Sequence, residues 1–129
     1  AALMDWLAIA RATGNTRAAA ATLARLRARL DDRGTVMRFA GAADDWSLMA
    51  DPDAALARLL LIASADAGWA ADAPRLARAL TQAQQRGHWR STPANALGTL
   101  AMQDFARRFE PGAVVGTSQV ALSGQSASI

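Results

Sequence analysis

The residues best suited to chemistry are few: one histidine, no cysteine and one close group of aspartates. The histidine, His88, has neither a cysteine nor a glutamate near it in sequence. A histidine-based metal site or a nucleophilic triad needs such partners. We therefore expect His88 to be a loop residue that is exposed or bonded to backbone.

Asp44 and Asp45, with Asp51 and Asp53, form the densest group of carboxylates, a pattern that could serve a cation or general acid chemistry. Asp51 and Asp53 flank a proline at a helix start, so capping and the helix dipole account for both. Asp44 and Asp45 lie in a loop without the glycine-punctuated spacing of a calcium site. We expect no catalytic residue, no metal site and no cofactor.

Ser91 and Thr92 could be nucleophiles, but they directly precede Pro93 and a helical stripe. A hydroxyl followed by proline in the first turn is typical of a helix cap. The glycines from Gly14 to Gly87 stand singly, which excludes a glycine-rich phosphate loop. These residues are therefore expected to shape the chain rather than to react.

The charge pattern argues against a nucleic-acid partner. All 14 basic residues are arginine, yet the net charge is only +3 because 11 acids are interspersed. A nucleic-acid footprint needs basic residues gathered on one face. The nearest candidates, from Arg25 to Arg33, spread around a helix. The pattern predicts a mixed, solvated surface.

The composition favours an all-α fold. Alanine supplies 34 of the 129 residues, and tyrosine is absent. Alanine is the best helix former, and few residues are β-branched. Apolar spacing and caps predict five helices. Their approximate ranges are 3–12, 17–31, 51–65, 72–87 and 91–110, with a short strand at 35–39.

The helices are expected to bury apolar stripes. The third is apolar over most of its circumference, so it should be buried on more than one side. In the fifth, the residues expected to point inward are Leu97, Leu100, Ala101, Phe105 and Phe109. Trp69 and Trp89 each follow a glycine at a turn between helices. Capped hairpins with a tryptophan at the turn suggest stacked or circularly arranged pairs, a partial α/α toroid.

Two stretches carry a resemblance to known families. "RLARALTQAQQRGHW" loosely follows the glutamine–tryptophan repeat of terpene cyclases. "HWRSTPANALGTLAMQDFARRFE" resembles more closely the last helical hairpin of the thioester domain in bacterial alpha-2-macroglobulins. "DRGTVMRFAGAADDWSLMADPDAALARLLLIASA" looks like the preceding segment of that domain. The match covers about residues 31–122, and its most specific motif consists of Trp89, Ser91, Thr92, Asn95 and Ala96.

The resemblance implies a fold, a function and a domain division. Both families have α/α toroids, and residues 1–112 would be the C-terminal part of the thioester domain. Residues 113–129 would be a linker or the first strand of a β-rich domain. The function implied is that of a broad-spectrum peptidase inhibitor, which traps proteases after cleavage of its bait. This piece would be non-catalytic, because the family's Cys-x-Glu-Gln thioester is absent from it.

The resemblance also implies partners and a location. The partners are peptidases, met through the full-length parent, the remainder of the parent chain, and a cell-wall synthase. The parent would be a periplasmic lipoprotein that reaches the inner membrane only through an anchor elsewhere in its chain. The sequence begins within a helix and without an initiator methionine, which favours a piece of something longer.

Six residues are expected to form a structural motif: Gly87, Trp89, Ser91, Thr92, Asn95 and Trp46. Gly87 should turn the chain, and Trp89 should fill the gap between hairpins. Ser91 or Thr92 should restart the helix, while Asn95 bonds loop backbone. On this basis, Trp89→Ala should destabilise the fold by roughly 3 kcal/mol or more.

Two other functions stay open. One is a cyclase-like toroid enzyme that uses Asp44 and Asp45. The other is a generic helical module that binds proteins.

Overall fold

The computed structural model describes residues 2–41, 51–110, 112, 119–122 and 125–128. The chain is mostly helical, which confirms the prediction of an all-α fold with about five helices and a short extended segment at the C-terminus. The helices are α1 (Ala2–Ala12), α2 (Thr16–Arg27), α3 (Pro52–Ser64), α4 (Ala73–Gln82) and α5 (Thr92–Phe109). The strands are β1 (Leu30–Asp32), β2 (Met37–Phe39), β3 (Gln119–Leu122) and β4 (Gln125–Ser128).

Helices α1 and α2 form a hairpin that turns at Gly14, where φ is +68°. Asn15 caps α2, because its side chain accepts a hydrogen bond from the backbone N–H of Ala18 at 2.9 Å. The hairpin buries one face of each helix, with Leu7 and Leu26 almost fully enclosed. The first hairpin of the predicted layout is thus present.

Helix α2 ends at Arg27, four residues before the predicted end at Asp31. Leu30 to Asp32 instead pair with β2 in an antiparallel ladder, with Leu30 opposite Phe39. The side chain of Asp32 accepts from the backbone N–H of Gly34 at 3.0 Å and closes the turn. The apolar spacing wrongly predicted a helix for residues 28–31. Strand pairing of Leu30 to Asp32 and the hydrogen bond between Asp32 and Gly34 stabilise a different backbone conformation there. The predicted strand at 35–39 is shorter than expected and occupies Met37–Phe39.

Helix α3 lies at the centre of the helical body, and its predicted burial on more than one side is confirmed. Leu59 and Leu60, on neighbouring faces of the helix, are both fully buried. Asp51 caps the helix through hydrogen bonds from the backbone N–H groups of Asp53 and Ala54. Helices α3 and α5 have their N-termini side by side and share the most extensive contact in the fold, so they run parallel. Helix α4 connects them and contacts both.

Helix α4 differs from its prediction at both ends. The side chain of Asp72 makes no capping hydrogen bond and instead binds the guanidinium groups of Arg27 and Arg75. The helix ends at Gln82 rather than at Gly87. Gly87 belongs to a separate tight turn, described below. A carboxylate that faces two guanidinium groups gains more from them than from backbone N–H groups.

The inward face of α5 also departs from expectation at one residue. Leu100 is 55% exposed, whereas Ala101 and Phe105 are buried. The buried face instead follows Ala94, Gly98, Ala101 and Phe105. Leu100 lies on the opposite side of the helix from this stripe.

Beyond α5, β3 and β4 form an antiparallel hairpin in which Gln119 lies opposite Ser128. Strand β3 falls within the segment expected to be extended.

Candidate functional site

Five of the six residues of the predicted motif lie in one corner, residues 87–95, which we call the Trp89 corner. The indole of Trp89 is 5% exposed and lies between α4 and α5. Its Nε1 donates a hydrogen bond to the carbonyl of Leu80 at 2.8 Å. Its six-membered ring lies against Gly98, where an added Cβ would come within 2.7 Å of a ring carbon. The indole is therefore fully engaged in packing and hydrogen bonding.

Asn95 closes the loop that leads from Trp89 into α5. Its Oδ1 accepts from the backbone N–H of Trp89 at 3.1 Å. Its Nδ2 donates to the carbonyls of Trp89 and Ser91, each at 2.7 Å. One amide thus bonds three backbone groups of a partly buried loop.

Ser91, rather than Thr92, is the cap of α5. The Ser91 hydroxyl accepts from the backbone N–H of Ala94 at 3.1 Å and donates to Oδ2 of Asp51. Because Asp51 caps α3, the two caps are hydrogen-bonded to each other across the parallel helices. Thr92 is exposed and is the first residue of α5. The hydroxyl that could act as a nucleophile is therefore committed to holding two helix ends together.

Gly87 and His88 form the outer turn of the corner. Gly87 has φ +83° and Arg86 has φ +54°, the left-handed backbone that a tight turn between Gln85 and His88 requires. His88 is exposed, and its Nδ1 lies 3.1 Å from the carbonyl of Trp89. Among the described residues it contacts backbone and no acidic side chain, so they form neither a metal site nor a triad around it.

A cleft of about 420 Å³ lies beside the corner, between β2 and the facing ends of α3 and α4. Its floor is apolar, and its mouth carries arginine, aspartate and glutamine side chains. The described lining consists of Val36, Arg38, Phe39, Pro52, Asp53, Leu56, Ala79, Gln82, Ala83, Gln85 and Arg90.

The charged side chains in the described lining of this cleft are Arg38, Asp53 and Arg90. Asp53 is mostly buried, and its Oδ2 lies 3.8 Å from Nε of Arg90. Arg38 adds a second guanidinium. The described lining has no serine, threonine, histidine or cysteine. Guanidinium groups over an apolar floor suit an anionic group on an apolar ligand.

The carboxyl groups with a clearly lowered pKa lie away from the Trp89 corner. A hydrogen bond from Arg58 lowers the pKa of Asp5, and one from Arg75 lowers the pKa of Asp32. Hydrogen bonds from Arg108 and then Arg107 lower the pKa of Asp104 on the surface of α5. Each of these carboxyl groups belongs to an ion pair at the surface, and its pKa is lowered. A general acid needs a pKa raised toward neutral pH, so none of the three suits that role.

The part of the chain that the structure describes has neither a metal-binding cluster nor a membrane-spanning helix. No three of its histidine, aspartate or glutamate side chains gather closely enough to hold a metal ion. No helix in it has the length and apolar character needed to cross a bilayer. Asp44, Asp45 and Trp46 lie outside the described residues.

Sequence reasoning missed three contributors to the corner. Gly98 provides the space for the indole, Asp51 links to Ser91, and the Leu80 carbonyl accepts from Trp89. Gly98 could have been found, because a glycine inside a helical stripe costs about 1 kcal/mol relative to alanine and so needs a packing reason. No pattern in the sequence marks the other two.

Comparison with protein-family models, with curated proteins and with solved structures finds no match for this chain.

Proposed function

We propose that this chain is a non-catalytic part of a bacterial alpha-2-macroglobulin-like protein, a broad-spectrum peptidase inhibitor. Its role would be to complete and seal the α/α ring of the thioester domain. The observation that supports this most directly is the Trp89 corner, because the motif that resembles the family lies there. Trp89, Ser91 and Asn95 are all engaged in packing, capping or backbone hydrogen bonds.

The helix arrangement supports the same proposal. In an α/α toroid, helices of one layer run parallel to one another, and each connecting helix runs back in the other layer. Helices α3 and α5 run parallel and in contact, and α4 connects them. This is the relation expected of two successive inner helices and the outer helix between them.

The proposal assigns no bond-making chemistry to this chain. It has no cysteine for a thioester. The described corner carries no triad, and its serine is a helix cap. The covalent capture of a peptidase would come from elsewhere in the parent, a periplasmic lipoprotein in this proposal.

The test uses the whole product of the reading frame that encodes this chain. It is incubated with a serine peptidase and a metallopeptidase, and hydrolysis of a large protein substrate and of a short peptide is followed. We expect cleavage of the inhibitor, loss of protein hydrolysis and retention of peptide hydrolysis, because a trapped peptidase still admits small substrates. The 129-residue chain alone should leave both activities unchanged.

A matched pair of variants connects this assay to the corner. Trp89→Ala in the full-length product should reduce inhibition, while Trp6→Ala, at a side chain 52% exposed, should not. A full-length product that is cleaved without slowing protein hydrolysis would contradict the proposal.

A helical module that binds other proteins is the second candidate, favoured by one observation. Trp6, Ile9 and Leu100 are large apolar side chains, each more than half exposed. Trp6 and Ile9 lie about one turn apart on α1 and form a neighbouring apolar pair, and contiguous exposed apolar surface is typical of protein interfaces. Capture of non-peptidase proteins from periplasmic extract, lost in Trp6→Ala and retained in Trp89→Phe, would favour this candidate.

A further inference from the structure

Four ion pairs connect the first helical hairpin to the helices that follow it. Each joins one residue of segment 2–32 to one residue of segment 58–75. We call this set the seam. Its pairs are Asp5–Arg58 at 2.5 Å, Arg11–Asp66 at 2.7 Å, Asp32–Arg75 at 2.5 Å, and Arg27–Asp72.

The two sides of the seam are electrically complementary. Along the chain the seam residues of the first segment are acid, base, base and acid, and those of the second segment are base, acid, acid and base. Each side therefore has two charges of each sign, and every pair unites opposite charges. Such a pattern favours one docking geometry over others, because a displaced arrangement brings like charges together.

Arg27 makes further contacts in the seam. Its guanidinium lies 4.5 Å from the ring centroid of Trp69 and donates to the carbonyl of Gly68 at 2.9 Å. The stacking of guanidinium on indole is a cation–π contact. Arg75 also binds both Asp32 and Asp72, so two of the four pairs form one network.

Water and salt can reach the seam, because most of its side chains are partly exposed. Asp5 is 56% and Asp32 is 50% exposed, although Asp72 is only 10% exposed. Exposed ion pairs weaken as salt screens them. The interior of the α3–α5 body depends instead on fully buried apolar side chains such as Leu59, Leu60 and Leu80. The two contacts should therefore respond differently to ionic strength.

We propose that α1 and α2 form a unit that opens from the α3–α5 body before the whole chain unfolds, and that salt controls how often it opens. The seam adds charged contacts to the docking of this unit, which also buries Met4, Leu7 and Leu26 in the apolar core that it shares with helices α3, α4 and α5. Local opening of a contiguous segment is general behaviour in proteins. Here the charged contacts identify which segment opens. This inference is independent of the function proposed above.

Amide hydrogen exchange measured by mass spectrometry tests the proposal on the intact chain at neutral pH. Between about 50 mM and about 1 M NaCl, the Debye length falls from above 10 Å to about 3 Å. We expect peptides from α1 and α2 to exchange roughly tenfold faster at the higher concentration, as the four exposed pairs weaken. Peptides from α3 and α5 should change less than twofold. Equal acceleration of all helices, or no change in α1 and α2, would overturn the proposal.

Two variants separate the seam from general effects of charge. Asp5→Asn with Asp32→Asn removes one charge from each of two seam pairs and keeps side-chain shape. At low salt this double variant should exchange faster in α1 and α2, and its response to salt should shrink. The matched control is Asp104→Asn, because Asp104 pairs with Arg107 and Arg108 within α5. If Asp104→Asn accelerates α1 and α2 as much as the double variant does, the seam is not the cause and the proposal is wrong.

Discussion

Trp89 is the residue on which the corner between α4 and α5 depends. Its indole fills the space between these helices, donates to the Leu80 carbonyl and rests on Gly98. An aromatic ring that is 95% buried contributes through the area it removes from water, and its loss also leaves a cavity. The polar edge of the ring is satisfied at the same time, so burial carries no unpaired N–H.

Trp89→Ala should lower the free energy of unfolding by about 3–5 kcal/mol, the usual loss for a buried aromatic residue truncated to alanine. The measurement is urea denaturation followed by circular dichroism. Trp6→Ala is the matched control. Because Trp6 is 52% exposed, its loss should cost about 1 kcal/mol or less. Equal losses for the two variants would mean that the corner does not seat the indole as described.

Gly98→Ala tests the same contact between the indole of Trp89 and helix α5 by changing the helix residue. In an ordinary helix interior this change adds about 1 kcal/mol of stability. Here the new methyl would come within 2.7 Å of the indole, so we expect a lower melting temperature instead. Adding Gly98→Ala to Trp89→Ala should then restore the ordinary helix gain, because the ring that clashes is gone. A stabilising effect of Gly98→Ala alone would contradict this packing.

At the scale of the elements, the helix starts were more predictable than the helix ends. Asn15, Asp51 and Ser91 all cap the helices that their positions indicated. A cap is a local contact between a side chain and an N–H group two or three residues later, so sequence spacing reveals it. Helix α2 ended early because Leu30 pairs with Phe39, a contact that no local pattern specifies.

The same distinction holds for the candidate site. The roles of Trp89, Ser91 and Asn95 follow from a short stretch of sequence. The hydrogen bond from Ser91 to Asp51 spans 40 residues, and the contact between Trp89 and Gly98 depends on how α5 approaches the loop. Asp72 occupies the position before the first residue of α4, yet its carboxylate binds Arg27, which is 45 residues away. Distant partners of this kind are set by packing, which spacing alone cannot supply.

Ser91→Ala should destabilise the fold by about 1 kcal/mol, within the 0.5–2 kcal/mol typical of a lost N-cap. The variant removes the acceptor for Ala94 and the hydroxyl that links α5 to Asp51. Thr92→Ala is the matched control, since that neighbouring hydroxyl is exposed and does not cap the helix. Its effect should stay within about 0.5 kcal/mol. Thermal unfolding of both variants measures the difference, and a larger loss for Thr92→Ala would reassign the cap.

At the scale of the whole molecule, arginine–aspartate pairs at several places on the surface make the free energy of unfolding depend on pH in the acid range. Asp5, Asp32 and Asp104 each have a pKa lowered by hydrogen bonds from arginine. In the unfolded chain an aspartate titrates near pH 3.9. The folded protein therefore holds these protons less tightly than the unfolded chain does. The resulting stability is fully present above about pH 4 and is lost as pH falls through the lowered pKa values.

The free energy of unfolding should accordingly decline as pH is lowered from about 5 to about 2. A triple variant, Asp5→Asn, Asp32→Asn and Asp104→Asn, should show a shallower decline, because these groups no longer titrate. Urea denaturation at each pH, followed by circular dichroism, gives the two slopes. Identical slopes for the triple variant and the parent chain would show that these three pairs do not carry the acid sensitivity.

The parallel course of α3 and α5 gives the molecule an electrical direction. Antiparallel neighbours largely cancel their peptide dipoles, whereas these two reinforce each other. Each N-terminus carries roughly half a positive charge, so nearly one full charge gathers where Asp51 and Ser91 meet. The carboxylates of Asp51 and Asp53 stand at this positive pole, and Arg107 and Arg108 occupy the last turn of α5 at the other. Replacing Asp51 with a basic residue would place a positive charge against the N-termini of both helices at once.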